Sequence, residues 1–221
     1  MTARHPLLPS PYQPVRYEGE QGPLVVLEGV SGVGKSTLRV LLEDRLAGTG
    51  IHTLPVPHTQ WSTTVNSKLR SLPQFAFCLS GLLHASDAIR RARAMGPVIA
   101  DRYASSVVAC HAAVHRLPVK TVCQLMEPYR SYLTRPTRTF YMSCSEQELR
   151  RRIAGKSDRT RDDADLLEVE GRLSRLLENF AAVAKEDPSA VLIETDDKSA
   201  ADLADMIVTH LEKDRVEPHR R

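Results

Sequence analysis

The most constraining feature of this chain is a glycine-rich stretch of nine residues, GVSGVGKST at positions 29–37. It fits the pattern G-x-x-x-x-G-K-S/T of a phosphate-binding loop, whose backbone amides surround a polyphosphate. The preceding run 24–28, LVVLE, is apolar and valine-rich and predicts a buried parallel strand. After the loop, leucines recur at helical spacing over 38–46. A strand, this loop and a helix form the context that the motif requires, so we expect nucleoside triphosphate binding.

The residue types in the loop are those that phosphate and metal binding require. Glycines let backbone N–H groups approach a phosphate chain, and the helix beginning near Lys35 adds the positive end of its dipole. Lys35 can reach the β- and γ-phosphates of ATP, and the Ser36 hydroxyl can bind Mg²⁺. The loop residues that we expect to bind the nucleotide are Gly29, Ser31, Gly32, Val33, Gly34, Lys35, Ser36 and Thr37.

Length and composition favour one globular domain. A chain of 221 residues can bury one substantial core, and a formal net charge of +3 is too small to indicate nucleic acid as a partner. No apolar run is long enough to span a membrane, and the N-terminus lacks the apolar core of a signal peptide. The four cysteines show no metal-ligand spacing, so we expect reduced thiols and a cytoplasmic location.

The chain divides into a proline-rich flexible arm at 1–22, one P-loop domain at 23–213 and a basic tail at 214–221. Beyond the first strand and helix, strands are predicted at 51–56, 98–100, 139–143 and 191–193. Helices are predicted at 63–72, 74–94, 103–115, from 118 to about 128, 145–153, 166–180 and 200–212. Strands alternating with helices predict an α/β protein of the P-loop NTPase fold, with a five-stranded parallel sheet covered by helices on both faces.

Ligands of such sheets bind beyond the carboxyl ends of the strands. Asp101 ends the third predicted strand, where its carboxylate can hold Mg²⁺ or orient an acceptor hydroxyl. Arg102 follows and can bind an anionic acceptor with its forked guanidinium. The competing interpretation is that Asp101 caps the next helix and Arg102 is a surface residue. The P-loop upstream favours the binding roles instead.

The segment 155–163 is polar, basic and without apolar periodicity. It is either a solvated loop or a short lid whose cations close over the transferring phosphates, and we favour the lid. Arg159 first, then Lys156 and Arg161, are the residues expected to neutralise the γ-phosphoryl group. The neighbouring arginines at 150–152 are interpreted as a solvated helix face.

Three further residues are weaker substrate-binding candidates. His58 follows the second predicted strand, where it can contact an acceptor or act as a base, although a lone histidine is more often structural. Arg70 lies on the next predicted helix, where surface placement competes with a binding role. His84 lies on the longer helix after it, where ordinary packing is at least as good an explanation.

Together these residues resemble the thymidylate kinase family of P-loop nucleoside monophosphate kinases. The likeness covers about 24–211 and depends on Leu27-Glu28-Gly29 before the loop, on Asp101-Arg102-Tyr103 followed by Ser106, and on the lid at 155–161. The resemblance implies Mg²⁺–ATP as the donor, an acceptor phosphate held by Arg102, Ser106 among the substrate-binding residues, and often a homodimer. It also implies that the basic lid substitutes for a base that some members carry inside the P-loop.

Some positions depart from the family pattern. Ser31 stands where the family usually has an acid that helps hold the sugar hydroxyl and the metal. His58 stands where an arginine usually helps bind the acceptor phosphate, and His84 and Ala88 replace an aromatic residue and an arginine that read thymine. Selective polar pockets derive their discrimination from such paired groups, so these differences argue against selective thymidylate recognition.

The leading hypothesis is ATP-dependent transfer of the γ-phosphoryl group to a nucleoside monophosphate or a close analogue. Its catalytic residues are Lys35, Arg159, Asp101 and Arg102, and its metal ligands are Ser36 and Asp101. In this hypothesis Arg102 orients the acceptor, and the expected binding partner is that small-molecule acceptor, a nucleotide or nucleoside. Catalysis of this kind consists mostly of positioning and charge stabilisation.

Two alternatives stay open. One is a kinase of an unphosphorylated nucleoside or nucleoside-like natural product, suggested by His58 and by the likeness of Pro55-x-Pro57-x-x-x-Trp61 to deoxynucleoside kinases. Those enzymes carry a glutamate base between the prolines, where this chain has Val56. The other alternative is a non-catalytic ATP-binding protein, suggested by Ser31 in place of the usual acid.

Overall fold

The computed structural model describes residues 9–156 and 159–216. Within them, five strands form one parallel sheet in the order β2-β3-β1-β4-β5. The strands are β1 (Leu24–Glu28), β2 (Thr49–His52), β3 (Val98–Asp101), β4 (Arg138–Ser143) and β5 (Ala190–Glu194). The predicted five-stranded parallel sheet is therefore confirmed.

Helices connect the strands and cover both faces of the sheet. The α-helices of the described residues are α1 (Lys35–Leu46), α2 (His58–Lys68), α3 (Ser71–Arg93), α4 (Ala104–His115), α5 (Val119–Met126), α6 (Glu146–Ala154), α7 (Arg161–Glu168), α8 (Arg172–Glu186) and α9 (Ala200–Val216). Short 3₁₀ helices lie at Ser10–Tyr12 and Glu127–Tyr132. In the described part of the chain, no helix combines the length and apolar character needed to span a membrane.

The central strand β1 is buried along its whole length, as its apolar sequence predicts. Its side chains alternate between the faces of the sheet, so Val25 and Leu27 pack in one apolar cluster with α1, α8 and α9. Leu24 and Val26 pack in the second cluster with α3. Because β1 has cores on both sides, the loop that follows it starts from a rigid position.

The pairing of β1 with β3 brings the predicted site together. Leu27 of β1 lies opposite Asp101 of β3 in the parallel register, so the segments that follow these two strands leave the sheet side by side. The loop 29–34 and Arg102 consequently start from neighbouring points at the same edge. This edge is where open α/β sheets bind their ligands.

The segment after α1 differs from the prediction. β2 begins at Thr49, because its N–H donates to the carbonyl of Pro97 at 2.9 Å, and the strand ends at His52 instead of continuing to residue 56. Residues 53–57 form bends and turns, and the prolines among them have no N–H to offer a sheet. His58 is therefore the first residue of α2 and does not directly follow a strand.

The boundary predicted between the helices 63–72 and 74–94 is wrong, because Pro73 is the third residue of α3. The first N–H groups of a helix have no intrahelical partner, so a proline in the first turn costs no hydrogen bond. α3 accordingly begins at Ser71, and Arg70 is its N-cap residue instead of a helical one.

The long helix predicted over 166–180 is two helices, α7 and α8. Gly171 separates them with a φ of 66°, in the left-handed region that continues neither helix. Arg161, assigned to the lid loop, is the first residue of α7. The last helix continues to Val216, three residues into the predicted tail. The predicted arm and tail residues 1–8 and 217–221, and lid residues 157 and 158, lie outside the described residues.

Candidate active site

The phosphate-binding loop depends on glycine for its shape. Gly29, Gly32 and Gly34 have φ values of 136°, 90° and 98°, which side chains rarely tolerate. A Cβ on Gly29 would overlap the carbonyl oxygen of Met142, and one on Gly32 would lie 2.8 Å from the side chain of Ile153. The loop therefore packs directly on β4 and α6, and its glycines cannot be exchanged without moving it.

Lys35 is buried inside the curl of this loop, with 5% of its surface exposed. Its Nζ donates hydrogen bonds to the carbonyls of Gly29 at 2.9 Å and Val30 at 2.7 Å. Burial and the charge of Arg102 lower the pKa of Lys35 to about 7, although Asp101 opposes them. An anionic ligand at the loop would favour the protonated amine, so this lysine can respond to a bound phosphate.

Ser36 and Asp101 form a pair of oxygen ligands. The Ser36 hydroxyl donates to Asp101 Oδ2 at 2.6 Å, and the carboxylate is 4% exposed at the end of β3. Mg²⁺ prefers oxygen ligands and usually takes one or two from the protein, with water and phosphate oxygens completing its shell. The two oxygens next to the phosphate-binding loop therefore fit the predicted magnesium site.

Arg102 lies directly beside the loop. Its backbone has a φ of 71°, and its N–H donates to the carbonyl of Leu27 at 2.9 Å. Its guanidinium donates to the carbonyl of Gly29 and to the Ser106 hydroxyl, both at 3.2 Å. The predicted acceptor-binding residues Arg102 and Ser106 are thus in contact with each other, and Arg102 also contacts the donor loop.

Glu28, for which the sequence predicted no role, holds this turn in place. It is fully buried and accepts hydrogen bonds from the N–H groups of Tyr103 (2.8 Å) and Ser106 (3.1 Å) and from the Ser106 hydroxyl. Desolvation raises the pKa of Glu28, while Ser106 and Arg102 counteract it. A carboxylate at the end of a fully buried strand was the sequence signal for this role.

Asp163, the buried carboxylate of the lid, is a second residue for which the sequence predicted no role. It is 2% exposed and accepts hydrogen bonds from the Ser31 hydroxyl, from Lys156 Nζ at 2.9 Å and from the N–H of Thr160 at 2.9 Å. Burial by itself would raise the pKa of Asp163, but these hydrogen bonds bring it down to about 2. The lid is therefore attached to the phosphate-binding loop through an ionised side chain.

The three predicted lid bases have different surroundings. Lys156 is half-buried and held by Asp163, next to the loop. Arg159 pairs with Glu168, at the far end of α7, at 3.2 Å. Arg161 is exposed in the first turn of α7. Lys156 is the lid base that this structure connects to the donor loop.

The structure brings together the predicted phosphate cradle, metal ligands, anion-binding arginine and lid cation, which are the parts that phosphoryl transfer needs. A family model described as thymidylate kinase matches residues 27–207, most of the chain. The chain belongs to the thymidylate kinase family. It is an ATP-dependent nucleoside monophosphate kinase, as the resemblance implied.

Individual proteins agree with the family assignment. A thymidylate kinase from Exiguobacterium sibiricum is 26% identical over 214 residues, which cover 87% of this chain and 97% of the relative. The structure of thymidylate kinase from Candida albicans superimposes with a TM-score of 0.71 at 16% identity, covering 88% of this chain and 93% of that one. Deoxyadenosine kinase from M. mycoides gives 0.64 at 16% identity, covering 86% and 99%. The two structures show the shared fold.

In this family member, the predicted residues His58 and His84 lie near each other on the β2–α3 side of the site. His58 Nε2 is 3.1 Å from the Ser80 hydroxyl, and its ring centroid is 5.3 Å from that of Phe77 and 5.7 Å from that of His84. A Cβ on Gly81 would lie 3.2 Å from His58 Cδ2, so the imidazole packs on bare helix backbone. Burial and His84 lower the pKa of His58.

The remaining predicted residues are peripheral to these contacts. Arg70 is exposed at the start of α3, and Thr37 is exposed in the first turn of α1. Their binding roles stay predictions.

Arg152 was interpreted as solvated, but it is half-buried and joins the loop to β5. Its Nη1 donates to the carbonyl of Val33 at 3.4 Å and to the Thr195 hydroxyl at 3.0 Å. Arg150 and Arg151 are exposed and pair along α6, as predicted. Beside Arg152 is a groove of about 600 Å³ at the ends of β4 and β5, lined by Ser145, Gln147, Glu148, Arg151, Arg152, Asp196, Asp197, Lys198 and Ser199.

Proposed function

We propose that this kinase transfers the γ-phosphoryl group of Mg²⁺-bound ATP to a nucleoside monophosphate whose phosphate binds Arg102. The observation that supports this proposal is the arrangement around the loop 29–34. The Ser36–Asp101 pair and the Arg102 guanidinium both adjoin that loop, the guanidinium through the carbonyl of Gly29. Donor and acceptor anions bound to these groups would lie next to each other, as in-line transfer requires.

The donor half of the site consists of the loop and its flanks. Loop amides and the N-terminus of α1 bind the β- and γ-phosphates, together with Lys35. Mg²⁺ held by Ser36 and Asp101 would neutralise charge on the phosphate chain. The groove beside Arg152 begins next to Val33, at the loop, and can accept the nucleoside end of the donor.

The acceptor half of the site is built on the β3–α4 turn. The Arg102 guanidinium forms a fork that matches a phosphate, and Glu28 keeps the turn at its position through the Tyr103 and Ser106 amides. Lys156 supplies a cation from the lid side. The predicted action of Arg159 requires its ion pair with Glu168 to open. The remaining proposals, a homodimer and a cytoplasmic location, come from family resemblance and composition.

The decisive experiment compares nucleoside monophosphates with their parent nucleosides, in ribose and deoxyribose form, by ADP release and product mass. We expect transfer to one or more monophosphates and none to the nucleosides. Arg102→Gln should raise the KM of the monophosphate at least about tenfold, the loss of a charged hydrogen bond. Exclusive use of nucleosides would support the nucleoside kinase alternative. ATP binding without transfer to any acceptor would support a non-catalytic role.

A further inference from the structure

The first turn of α7 connects the two sides of the active site. Two adjacent carboxylates in this turn have different partners. Asp163 accepts a hydrogen bond from Ser31 in the phosphate-binding loop. Asp162 accepts one from Asn66 Nδ2, on α2, at 3.1 Å. The loop belongs to the donor half, and α2 begins with His58, a predicted acceptor-binding residue, so a single helical turn contacts elements on both sides of the site.

On the donor side, the contact is buried and charged. Asp163 binds the loop hydroxyl and Lys156 at once, so this carboxylate joins the lid cation to the loop. The same carboxylate accepts from the N–H of Thr160, whose own hydroxyl accepts from the Asp163 N–H. This reciprocal capping box fixes the direction in which α7 begins.

On the acceptor side, a hydrogen bond from Gln74 orients the side chain of Asn66. Its Oδ1 accepts a hydrogen bond from Gln74 Nε2 at 2.9 Å, which leaves its amide N–H groups to face Asp162. Gln74 is 6% exposed, and its Oε1 bonds to Nε2 of His115, on α4. A partly buried chain of hydrogen bonds through α3 and α4 therefore presents the Asn66 amide to the lid.

From these contacts we infer that Asp162 and Asp163 are positioning residues that attach the lid independently at two places. Asp163 attaches it to the donor side of the site, and Asp162 attaches it to the acceptor side. Asp163 holds Lys156 over the place of the γ-phosphate, and Asp162 holds the first turn of α7 against α2, beside the acceptor. The inference rests on the proposed function, which assigns the loop to the donor, and on the predicted acceptor role of His58, which assigns α2 to the acceptor side. Each carboxylate then affects a different substrate, although the two are neighbours in the sequence.

The donor arm of the test compares ATP with ADP in calorimetric binding experiments. Asp163→Asn and Ser31→Ala should each weaken ATP binding about tenfold, as expected for one hydrogen bond to a charged group, and change ADP binding less than about twofold. Ser31→Ala leaves the capping box and the Lys156 contact intact, so it tests the loop contact separately. An equal loss for ATP and ADP would mean a merely structural role and would overturn the inference.

The acceptor arm measures steady-state kinetics of Asp162→Asn and Asn66→Ala. Both variants should raise the KM of the acceptor about fivefold, consistent with loss of one exposed hydrogen bond, while the KM of ATP stays within about twofold. Asp165→Asn, which removes the α7 carboxylate that pairs with Arg172, is the matched control and should resemble the wild type. Equal effects on both substrates from Asp162→Asn and Asp163→Asn would overturn the inference.

Failure of the proposed function gives a different result. A wild-type protein that binds ATP but transfers no phosphate would refute the proposed function. The ATP-to-ADP binding ratio of Asp163→Asn would still test the donor contact in that protein. Thermal melting of each variant shows whether it folds, and Ser31→Ala serves where Asp163→Asn is unfolded.

Discussion

The hydroxyl of Ser36 donates a 2.6 Å hydrogen bond to the carboxylate of Asp101, joining the first turn of α1 to the end of β3. The two residues are 65 positions apart, and the parallel pairing of β1 with β3 brings them together. Both atoms are oxygens that Mg²⁺ accepts as ligands. The sheet itself therefore positions the atoms that the proposed metal site needs.

Replacing Asp101 by asparagine removes the negative charge of this side chain but keeps its shape, so the variant tests the role of the charge. The amide can keep the hydrogen bond to Ser36, but it removes the negative charge that attracts Mg²⁺. We expect kcat to fall about 100-fold and the Mg²⁺ concentration for half-maximal rate to rise about tenfold, an effect of several kcal/mol in total. Rates measured across a Mg²⁺ series test this. Asp205→Asn, at an exposed carboxylate of α9, is the control. An unchanged Mg²⁺ dependence in Asp101→Asn would exclude the metal role.

Lys35→Met should abolish turnover without unfolding the protein. The thioether occupies a similar buried volume and has no charge to desolvate, so the melting temperature should stay the same or rise. Loss of the cation at the transferring phosphate should lower kcat by roughly 10³-fold or more. Turnover and circular dichroism melts measure the two effects, with exposed Lys120→Met on α5 as the control. Near-normal turnover would remove Lys35 from the mechanism.

Nucleotide binding should take up a proton at alkaline pH. Burial, followed by the charge of Arg102, lowers the pKa of Lys35 to about 7, and a bound polyphosphate raises it again. Below pH 7 the amine is already protonated, so affinity should vary little there. Above pH 7 the free enzyme loses this proton, and affinity should fall by up to about tenfold per pH unit.

Calorimetry in two buffers of different ionisation enthalpy measures this linkage directly. At pH 8 we expect an uptake of about 0.9 proton per ATP bound, the fraction that a pKa near 7 leaves deprotonated. Lys35→Met should show almost none. Equal proton uptake in both proteins would assign the linkage to another group.

Glu28→Gln should weaken both the fold and acceptor binding. The Glu28 carboxylate accepts from two amides and a hydroxyl in a fully buried position, and an amide group there brings donors against donors. We expect a loss of about 2 kcal/mol in the free energy of unfolding, the cost of unpaired buried polar groups. The acceptor KM should rise more than the KM of ATP, because the turn carries Arg102.

Urea unfolding and steady-state kinetics measure these two effects of Glu28→Gln. Glu43→Gln, at a partly exposed ion pair within α1, is the matched control. A destabilised protein with unchanged acceptor KM would show that Glu28 supports the core and not the acceptor turn.

The phosphate-binding loop, β1 and α1 could be predicted because their signals are local. Glycine spacing, an apolar run and leucine periodicity lie within about 25 consecutive residues. The errors arose where a local rule has a positional exception. A proline in the interior of a helix disrupts it, but Pro73 lies in the first turn of α3, where a proline is tolerated. Gly171 interrupts an apolar periodicity that continues on both of its sides.

The roles of Asp163 and Arg152 could not be read from sequence patterns. Asp163 meets Ser31 across 132 positions, and Arg152 meets Val33 across 119. Such contacts depend on how the sheet orders its strands, which no short motif encodes. Arg159 shows the same limit, since its charge predicts a lid cation but does not predict its ion pair with Glu168.

The bare backbone of α3 at Gly81 makes three positions of the chain interdependent. A Cβ at position 81 would lie 2.5 Å from the side chain of Leu54 and 3.2 Å from the imidazole of His58. A larger residue at 81 would therefore displace Leu54 first and press on the first residue of α2 as well. Engineering of this side of the site should accordingly change residues 54, 58 and 81 together, with bulk moved from Leu54 and the His58 ring to α3.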